Sequence, residues 1–302
     1  MIRTVLLLLA ALGALAGLSA CGQRAEPTGE VSPSYPVTVQ GAAEAPLVLE
    51  RAPERIVVLD RGPAELIDAL GAGGRVVGAP PNVILADGTD PTDVIGANGQ
   101  VDVEAVAGLE PDLIVATPEV DSVGRERASE ESGAPVYLQP ARTADDVVRA
   151  TFELGSLVGE PVAARKLASS LRGDLAALQA RLADVEPVSV FVDTGLFVTL
   201  SSNTIFGDLL TRARGSNVAP DPSSGPITAE ALAAADPDVY LVTSDSRLTL
   251  DELRRRKDTR DLTAVKEGRF QEIPLELVTT AGPDVAMAIQ ELAVALHPDA
   301  FR

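Results

Sequence analysis

Two segments of this chain share one pattern, and this repetition constrains the architecture more than any other feature. Residues 101–117 and residues 227–243 each contain a short helix with glutamate in its first turn, then Pro-Asp, then an apolar strand. Between them lies a stretch whose leucines recur at spacings of four and three, as on one face of a helix: Leu167, Leu171, Leu175, Leu178 and Leu182. We predict two lobes built on one plan and joined by a long helix. The alternative is a surface helix on a single domain.

Short apolar runs alternate with helical segments from about residue 55 onward, which is typical of parallel α/β construction. The predicted strands are residues 55–59, 75–78, 112–116, 135–138, 188–192, 239–242 and 269–273. Their continuous apolar character indicates strands that are covered on both faces. The glycines at 71–74 follow a predicted helix and precede a strand, which is the reverse of a dinucleotide-binding fingerprint.

The N-terminal segment, residues 1–21, is predicted to be a secretory signal. Its apolar run from Val5 to Leu18 is too short to cross a hydrocarbon core, which needs roughly 20 residues. The single cysteine, Cys21, follows small residues and resembles the lipobox of bacterial lipoproteins, in which it would be acylated. Residues 22–35 are rich in Pro, Gly, Ser and Glu and predict a flexible tether. We therefore expect a lipid anchor on the extracytoplasmic face.

Composition excludes several classes of function. Asp and Glu number 44 against 25 Lys and Arg, so the charge of -19 disfavours nucleic acids and anionic lipid surfaces. One histidine, His297, and one cysteine cannot build a zinc site or a nucleophile–histidine arrangement. We predict no catalysis and no resident metal or cofactor. A carboxylate-based hydrolase and an orphan lipoprotein acting as an adhesin or assembly factor are the alternatives from other classes.

Several motifs occur in the order found in one family. They are Pro53-Glu54-Arg55-Ile56-Val57-Val58-Leu59, Glu65-Leu66, Ala69-Leu70-Gly71-Ala72, the doubled Glu…Pro-Asp segment, and the closing Gly282-Pro283…Leu292-Ala293…Leu296. From about residue 36 to its end the chain resembles the substrate-binding lipoproteins of ABC importers for ferric siderophores and cobalamin. The resemblance implies an α/β fold of two Rossmann-like lobes joined by one rigid helix, with ligand bound between them.

The resemblance also implies boundaries and partners. We expect an N-terminal lobe at 36–160, a linking helix at 161–186 and a C-terminal lobe at 187–302, and Tyr35–Val39 resembles the N-terminal hairpin of the siderophore branch. Glu104 and Glu230 match the family's docking glutamates, which meet permease arginines through charge-assisted hydrogen bonds. The alternative is that both only complement a helix dipole.

Candidate ligand residues follow from fold logic, because ligands of doubly wound sheets meet the carboxyl ends of strands. They are Arg61, Asn82, Glu119, Phe197, Arg247 and Leu277. Arg61 and Arg247 are expected to neutralise an anionic ferric chelate, with Phe197 as an apolar contact. Aromatic residues at only 3% argue against a ring-lined catecholate or porphyrin pocket.

The sequence therefore predicts a monomeric receptor that captures a ferric chelate and delivers it to an ABC permease with its ATPase. Its contact with the membrane is expected through the lipid anchor only. Cobalamin or another corrinoid is the alternative ligand. Receptors for zinc or manganese need histidine-rich sites, which this chain lacks.

Overall fold

The computed structural model describes residues 34–86, 88–219 and 225–302. The predicted signal, Cys21 and the tether up to residue 33 lie outside these residues. The strands are β1 (Val37–Val39), β2 (Leu47–Leu49), β3 (Ile56–Val58), β4 (Val76–Ala79), β5 (Thr92–Asp93), β6 (Leu113–Ala116), β7 (Val136–Leu138), β8 (Val188–Asp193), β9 (Gly215–Asn217), β10 (Val239–Thr243) and β11 (Phe270–Ile273).

The helices alternate with these strands. They are α1 (Arg61–Ala69), α2 (Val103–Gly108), α3 (Ser122–Ser132), α4 (Ala144–Leu157), α5 (Pro161–Arg181), α6 (Ile205–Arg212), α7 (Ala229–Ala235), α8 (Leu250–Arg255), α9 (Thr263–Glu267), α10 (Leu275–Thr279) and α11 (Val285–Leu296), with single 3₁₀ turns at Gly73–Arg75, Ser244–Ser246 and Pro298–Phe301. None of the helices in the described ranges combines the length and apolar composition that a membrane crossing requires.

Each lobe is built on its own parallel sheet. The N-terminal sheet has the order β5-β4-β3-β6-β7 and the C-terminal sheet the order β11-β10-β8-β9. Every neighbouring pair in both sheets is parallel. All residues of β3, β6 and β10 are buried, because helices cover both faces of the sheets. The predicted α/β fold with two lobes is confirmed.

The repeated Pro-Asp sequence has one structural task in both lobes. Asp112 accepts the backbone N–H groups of Glu54 at 2.9 Å and Arg55 at 3.0 Å, just before β3. Asp238 accepts the backbone N–H of Ser189 at 2.8 Å and its hydroxyl at 2.7 Å, at the start of β8. Each aspartate therefore ties the start of its own strand to the start of the neighbouring central strand.

Helix α5 begins at the predicted Pro161 and buries one face against α4 and α11. It ends at Arg181, before the predicted end at residue 186, although the apolar spacing continues to Val185. Arg214 explains the difference, because its guanidinium binds the carbonyl oxygens of Leu182 at 3.0 Å and Ala183 at 2.6 Å. The chain turns away there towards β8.

The residues before β3 form the hairpin that the resemblance implied. Strands β1 and β2 pair antiparallel, with Val37 opposite Leu49. The Tyr35 hydroxyl donates to the carbonyl oxygen of Leu157 at 2.8 Å, at the end of α4. The described chain therefore begins on the N-terminal lobe, at the C-terminal end of α4.

Candidate ligand-binding cleft between the lobes

The two lobes meet through side chains beyond the carboxyl ends of their strands. The buried Gln139, which follows β7, donates from Nε2 to the carbonyl oxygen of Ala281 at 2.8 Å. The backbone N–H of Ala144 donates to Asp208 Oδ2, also at 2.8 Å. Arg212 on α6 pairs with Asp145 on α4 at 2.7 Å. The lobes are therefore joined by direct polar contacts as well as by α5.

A glycine in the first turn of α1 lies directly against the C-terminal lobe. A Cβ atom on Gly62 would lie 2.5 Å from the carbonyl oxygen of Ala281. Only a residue without a side chain permits this contact. Gly62 therefore sets how near the two lobes come beside the cleft.

Within the part of the chain that the structure describes, two cavities are lined by residues of both lobes. The first, which we call the Glu119 cavity, has a volume of about 250 Å³. It is lined by Asp60, Thr117, Glu119 and Ala141 from the N-terminal lobe, and by Leu200, Ser201, Thr204, Ile205, Thr279 and Ala281 from the C-terminal lobe. The second, the Arg61 cavity, has a volume of about 240 Å³. It is lined by Arg61 and Glu65 from the N-terminal lobe, and by Pro274, Glu276, Leu277, Thr280, Gly282 and Asp284 from the C-terminal lobe.

Arg61 stands between carboxylates of both lobes. Its guanidinium lies 3.6 Å from Glu65 Oε1 and 3.5 Å from Glu276 Oε2. It also donates to the backbone carbonyl of Asn82 at 3.2 Å. Burial raises the pKa of Glu65, and Arg61 opposes that shift. The charge of this guanidinium is therefore already balanced by carboxylates of the protein itself.

The structure places four of the six predicted ligand residues at or beside the cavities. Glu119 is exposed in the first cavity, and Arg61 and Leu277 line the second. Asn82 contributes through its backbone, with φ at 63°, a left-handed conformation that asparagine adopts more readily than most residues. Arg247 is exposed beyond the turn Ser244–Ser246 and lines neither cavity.

Phe197 also lines neither cavity, because its loop is folded onto the C-terminal lobe. The buried Asp193 accepts the backbone N–H groups of Gly195 at 2.7 Å and Phe197 at 3.1 Å. Its other oxygen accepts the hydroxyl of Tyr240 at 2.7 Å. The guanidinium of Arg256 lies 4.8 Å from the Phe197 ring centre. The ring is therefore part of the packing of this lobe.

Hydroxyl-bearing residues of the cleft were missed by the sequence reasoning. They are Thr117 from the N-terminal lobe, and Ser201, Thr204, Thr279 and Thr280 from the C-terminal lobe. Thr204 stands just before α6, and Thr279 ends α10. A residue just before a helix is a useful signal, because such positions lie at the mouth of an α/β sheet when the helix follows a strand.

Glu104 and Glu230 occupy equivalent positions on the two lobes. Asp102 caps α2 by accepting the N–H of Ala105 at 3.0 Å, and Thr228 caps α7 by accepting the N–H of Ala231 at 3.1 Å. In each helix the glutamate is the second residue after the cap, and both glutamates are exposed. Neither therefore serves as the cap itself.

The comparisons with known proteins agree with this two-lobed architecture. A solved structure, the periplasmic heme-binding protein RhuT of Roseiflexus sp. RS-1 in apo form, superposes with a TM-score of 0.71 at 24% identity, covering 82% of this chain and 99% of RhuT. The two proteins therefore share one fold. The family model described as periplasmic binding protein matches residues 56–277, and the chain belongs to that family. The family predicted from the sequence motifs is confirmed.

Two relatives align along most of their length. This chain is 27% identical over 278 residues to the uncharacterized ABC transporter substrate-binding lipoprotein YvrC of Bacillus subtilis, covering 89% of this chain and 88% of YvrC. It is 29% identical over 277 residues to a cobalamin-binding protein of Halobacterium salinarum, covering 87% of this chain and 75% of that protein. Among the described residues, no three His, Cys, Asp or Glu side chains are grouped as metal ligands.

Proposed function

We propose that this protein is a lipid-anchored receptor on the extracytoplasmic face that captures a ferric chelate of the siderophore type between its lobes. It delivers this chelate to the permease of an ABC importer, whose ATPase drives uptake, and performs no catalysis itself. The observation that supports this most is the pair of cavities lined from both lobes. Small-molecule sites lie preferentially in such clefts between domains. The relative YvrC, named as a substrate-binding lipoprotein, supports the same class and the anchor at Cys21.

Cobalamin or another corrinoid is the second candidate ligand. The specific observation in its favour is the relative from Halobacterium salinarum, which is named as a cobalamin-binding protein. Both ligands are bulky metal complexes, and the proposed route through cleft and permease is the same for either.

A thermal-shift panel tests the receptor proposal. The purified full-length chain is melted with ferric hydroxamates, ferric catecholates, ferric citrate, haem and cobalamin. A ligand at 100 times its Kd adds about 2.7 kcal/mol, which should raise the midpoint by roughly 5 to 10 °C. Far-UV circular dichroism reports the melt, since the chain has no tryptophan. No shift with any compound, together with a cooperative melt, would favour the orphan lipoprotein.

The proposed docking residues are tested by a double substitution. Replacing Glu104 and Glu230 by Ala should abolish uptake in cells that contain the cognate permease and ATPase. Each lobe then lacks the carboxylate that would accept a charge-assisted hydrogen bond from a permease arginine. Ligand affinity should remain unchanged, since both residues lie outside the cavities.

The matched control replaces two other exposed helix glutamates, Glu126 on α3 and Glu291 on α11, by Ala. This control should retain uptake. Equal loss of uptake in both double variants, or an affinity that falls in step with uptake, would contradict the docking assignment.

A further inference from the structure

Negative charge predominates in the lining of the two cavities. Among the described lining residues the charged side chains are the carboxylates Asp60, Glu65, Glu119, Glu276 and Asp284 and a single guanidinium, that of Arg61. The whole chain is acidic, at -19, so the charge of the cleft has the same sign as its surroundings. The cleft therefore presents a negative potential to an approaching solute.

The one guanidinium in the lining does not offset this charge. Arg61 already has Glu65 at 3.6 Å and Glu276 at 3.5 Å, on opposite lobes. The next candidate, Arg142, binds the side-chain oxygen of Asn203 across the lobes and is not part of either lining. Within the two linings, an anionic ligand would need to displace a carboxylate from Arg61 before it gained a cationic partner.

Three hydroxyl groups of the lining favour a hydrogen-bond donor in the ligand. The Thr204 hydroxyl donates to the carbonyl oxygen of Ser201 at 2.7 Å, and the Thr279 hydroxyl to that of Leu275 at 2.8 Å. The Thr117 hydroxyl donates to Asp60 at 2.6 Å. With its proton used in this way, each hydroxyl oxygen still has acceptor capacity. These hydroxyls and the carboxylates together offer the ligand mainly acceptors.

We infer that the cleft takes a solute without net negative charge and discriminates against anionic chelates, because Arg61 is already neutralised from both lobes. The inference rests on the proposed function and narrows its ligand class. It favours a ferric trihydroxamate, whose iron core is uncharged, or a corrinoid, over a ferric tris-catecholate or ferric citrate. It also replaces the expectation that Arg61 and Arg247 neutralise an anionic chelate.

A comparison of three metal complexes that differ in net charge tests this selectivity, and two of them contain the same ferric ion. Titration calorimetry with the full-length chain measures Kd for ferrioxamine B, a cationic ferric trihydroxamate, for an anionic ferric tris-catecholate, and for cyanocobalamin. We expect ferrioxamine B or cyanocobalamin to bind at least about tenfold more tightly than the catecholate, a difference of about 1.4 kcal/mol. Equal or tighter binding of the catecholate would overturn the inference and leave the receptor proposal intact. No binding of any probe would instead overturn the receptor proposal, and the inference with it.

A single substitution tests the cause. Glu276→Gln removes one carboxylate from Arg61, and the 73% exposure of the Glu276 side chain means that folding should be unaffected. Catecholate binding should strengthen, and ferrioxamine B binding weaken, each by roughly three- to tenfold for one unit charge near the ligand. Both changes should shrink as salt is raised. The control is Glu272→Gln on β11, an exposed carboxylate outside both linings. The same response in both variants would overturn the inference.

Discussion

Asp193 should be one of the most sensitive positions for stability, because one buried carboxylate satisfies three donors. In Asp193→Ala the Tyr240 hydroxyl and the N–H groups of Gly195 and Phe197 lose their acceptor. Hydrogen bonds to a charged group contribute about 1.5–3 kcal/mol each, and a buried donor left unpaired costs about 1–3 kcal/mol. Relief of the carboxylate's own desolvation offsets several kcal/mol of this sum. We expect a net loss of about 3 kcal/mol.

Urea unfolding followed by far-UV circular dichroism measures this loss, and thermal melting provides a second reading. At about 2–4 °C per kcal/mol, the range for a unit of roughly 150–250 residues that unfolds cooperatively, the midpoint should fall by roughly 6–12 °C. Tyr240→Phe removes only one of the three donors and should cost less than Asp193→Ala, about 1.5 kcal/mol, the lower end of the range for a hydrogen bond to a charged group. The double variant should be less destabilised than the sum of the single ones, since both substitutions remove the same hydrogen bond.

The control is Asp245→Ala, which removes an exposed aspartate from the turn after β10. It should change stability by less than about 0.5 kcal/mol. A loss below about 1 kcal/mol for Asp193→Ala, or additive single variants, would refute the view that this carboxylate organises the loop.

Two further predictions concern the contact between the lobes at Gly62 and the loss of stability at acid pH. Gly62→Ala should destabilise the protein by about 1–3 kcal/mol, because its Cβ would press on the carbonyl oxygen of Ala281. Gly173→Ala on α5 is the control, because a Cβ at this position meets nothing within 4 Å, and it should stabilise the protein by up to about 1 kcal/mol. The urea midpoint should fall in the first variant and rise in the second. A midpoint that moves the other way would contradict the expectation for that variant. Hydrogen bonds from Ser189 lower the pKa of Asp238 in the folded protein. The Asp238 carboxylate therefore stabilises the folded state fully above its ordinary pKa, and this stabilisation is lost as pH falls through the folded-state pKa. Asp238→Asn should therefore flatten the loss of stability between neutral and acid pH, and an unchanged slope would argue against this assignment.

Most of the buried strands could be predicted from local pattern. Strands such as β6 and β10 are apolar at nearly every position because helices cover both of their faces. A continuous apolar run in the sequence therefore identifies them. Strands β5 and β9 were not predicted. They lie at the edges of their sheets and consist of Thr92–Asp93 and Gly215–Asn217, which have no apolar pattern to detect. Edge strands obey weaker constraints on composition than central ones.

The orientation of the loop after β8 could not be predicted. Gly195, Leu196 and Phe197 all have positive φ, with values of 130°, 54° and 63°. This backbone packs Phe197 against the core of the C-terminal lobe and leaves Leu196 83% exposed. A ligand contact at Phe197 would instead require its ring to face the cleft. Asp193 imposes the turn through hydrogen bonds, and nothing in the apolar spacing reports them.

The sequence by itself determined the two lobes, the helix between them and the equivalence of Glu104 and Glu230. These features follow from burial and capping, which act on residues near one another in the chain. Only the tertiary structure decided the charge of the cleft. Arg61 and Glu276 are far apart in sequence and belong to different lobes, yet their ion pair determines whether the cleft holds a free positive charge. Such a pairing depends on how two separately folded sheets face each other, and no local pattern encodes it.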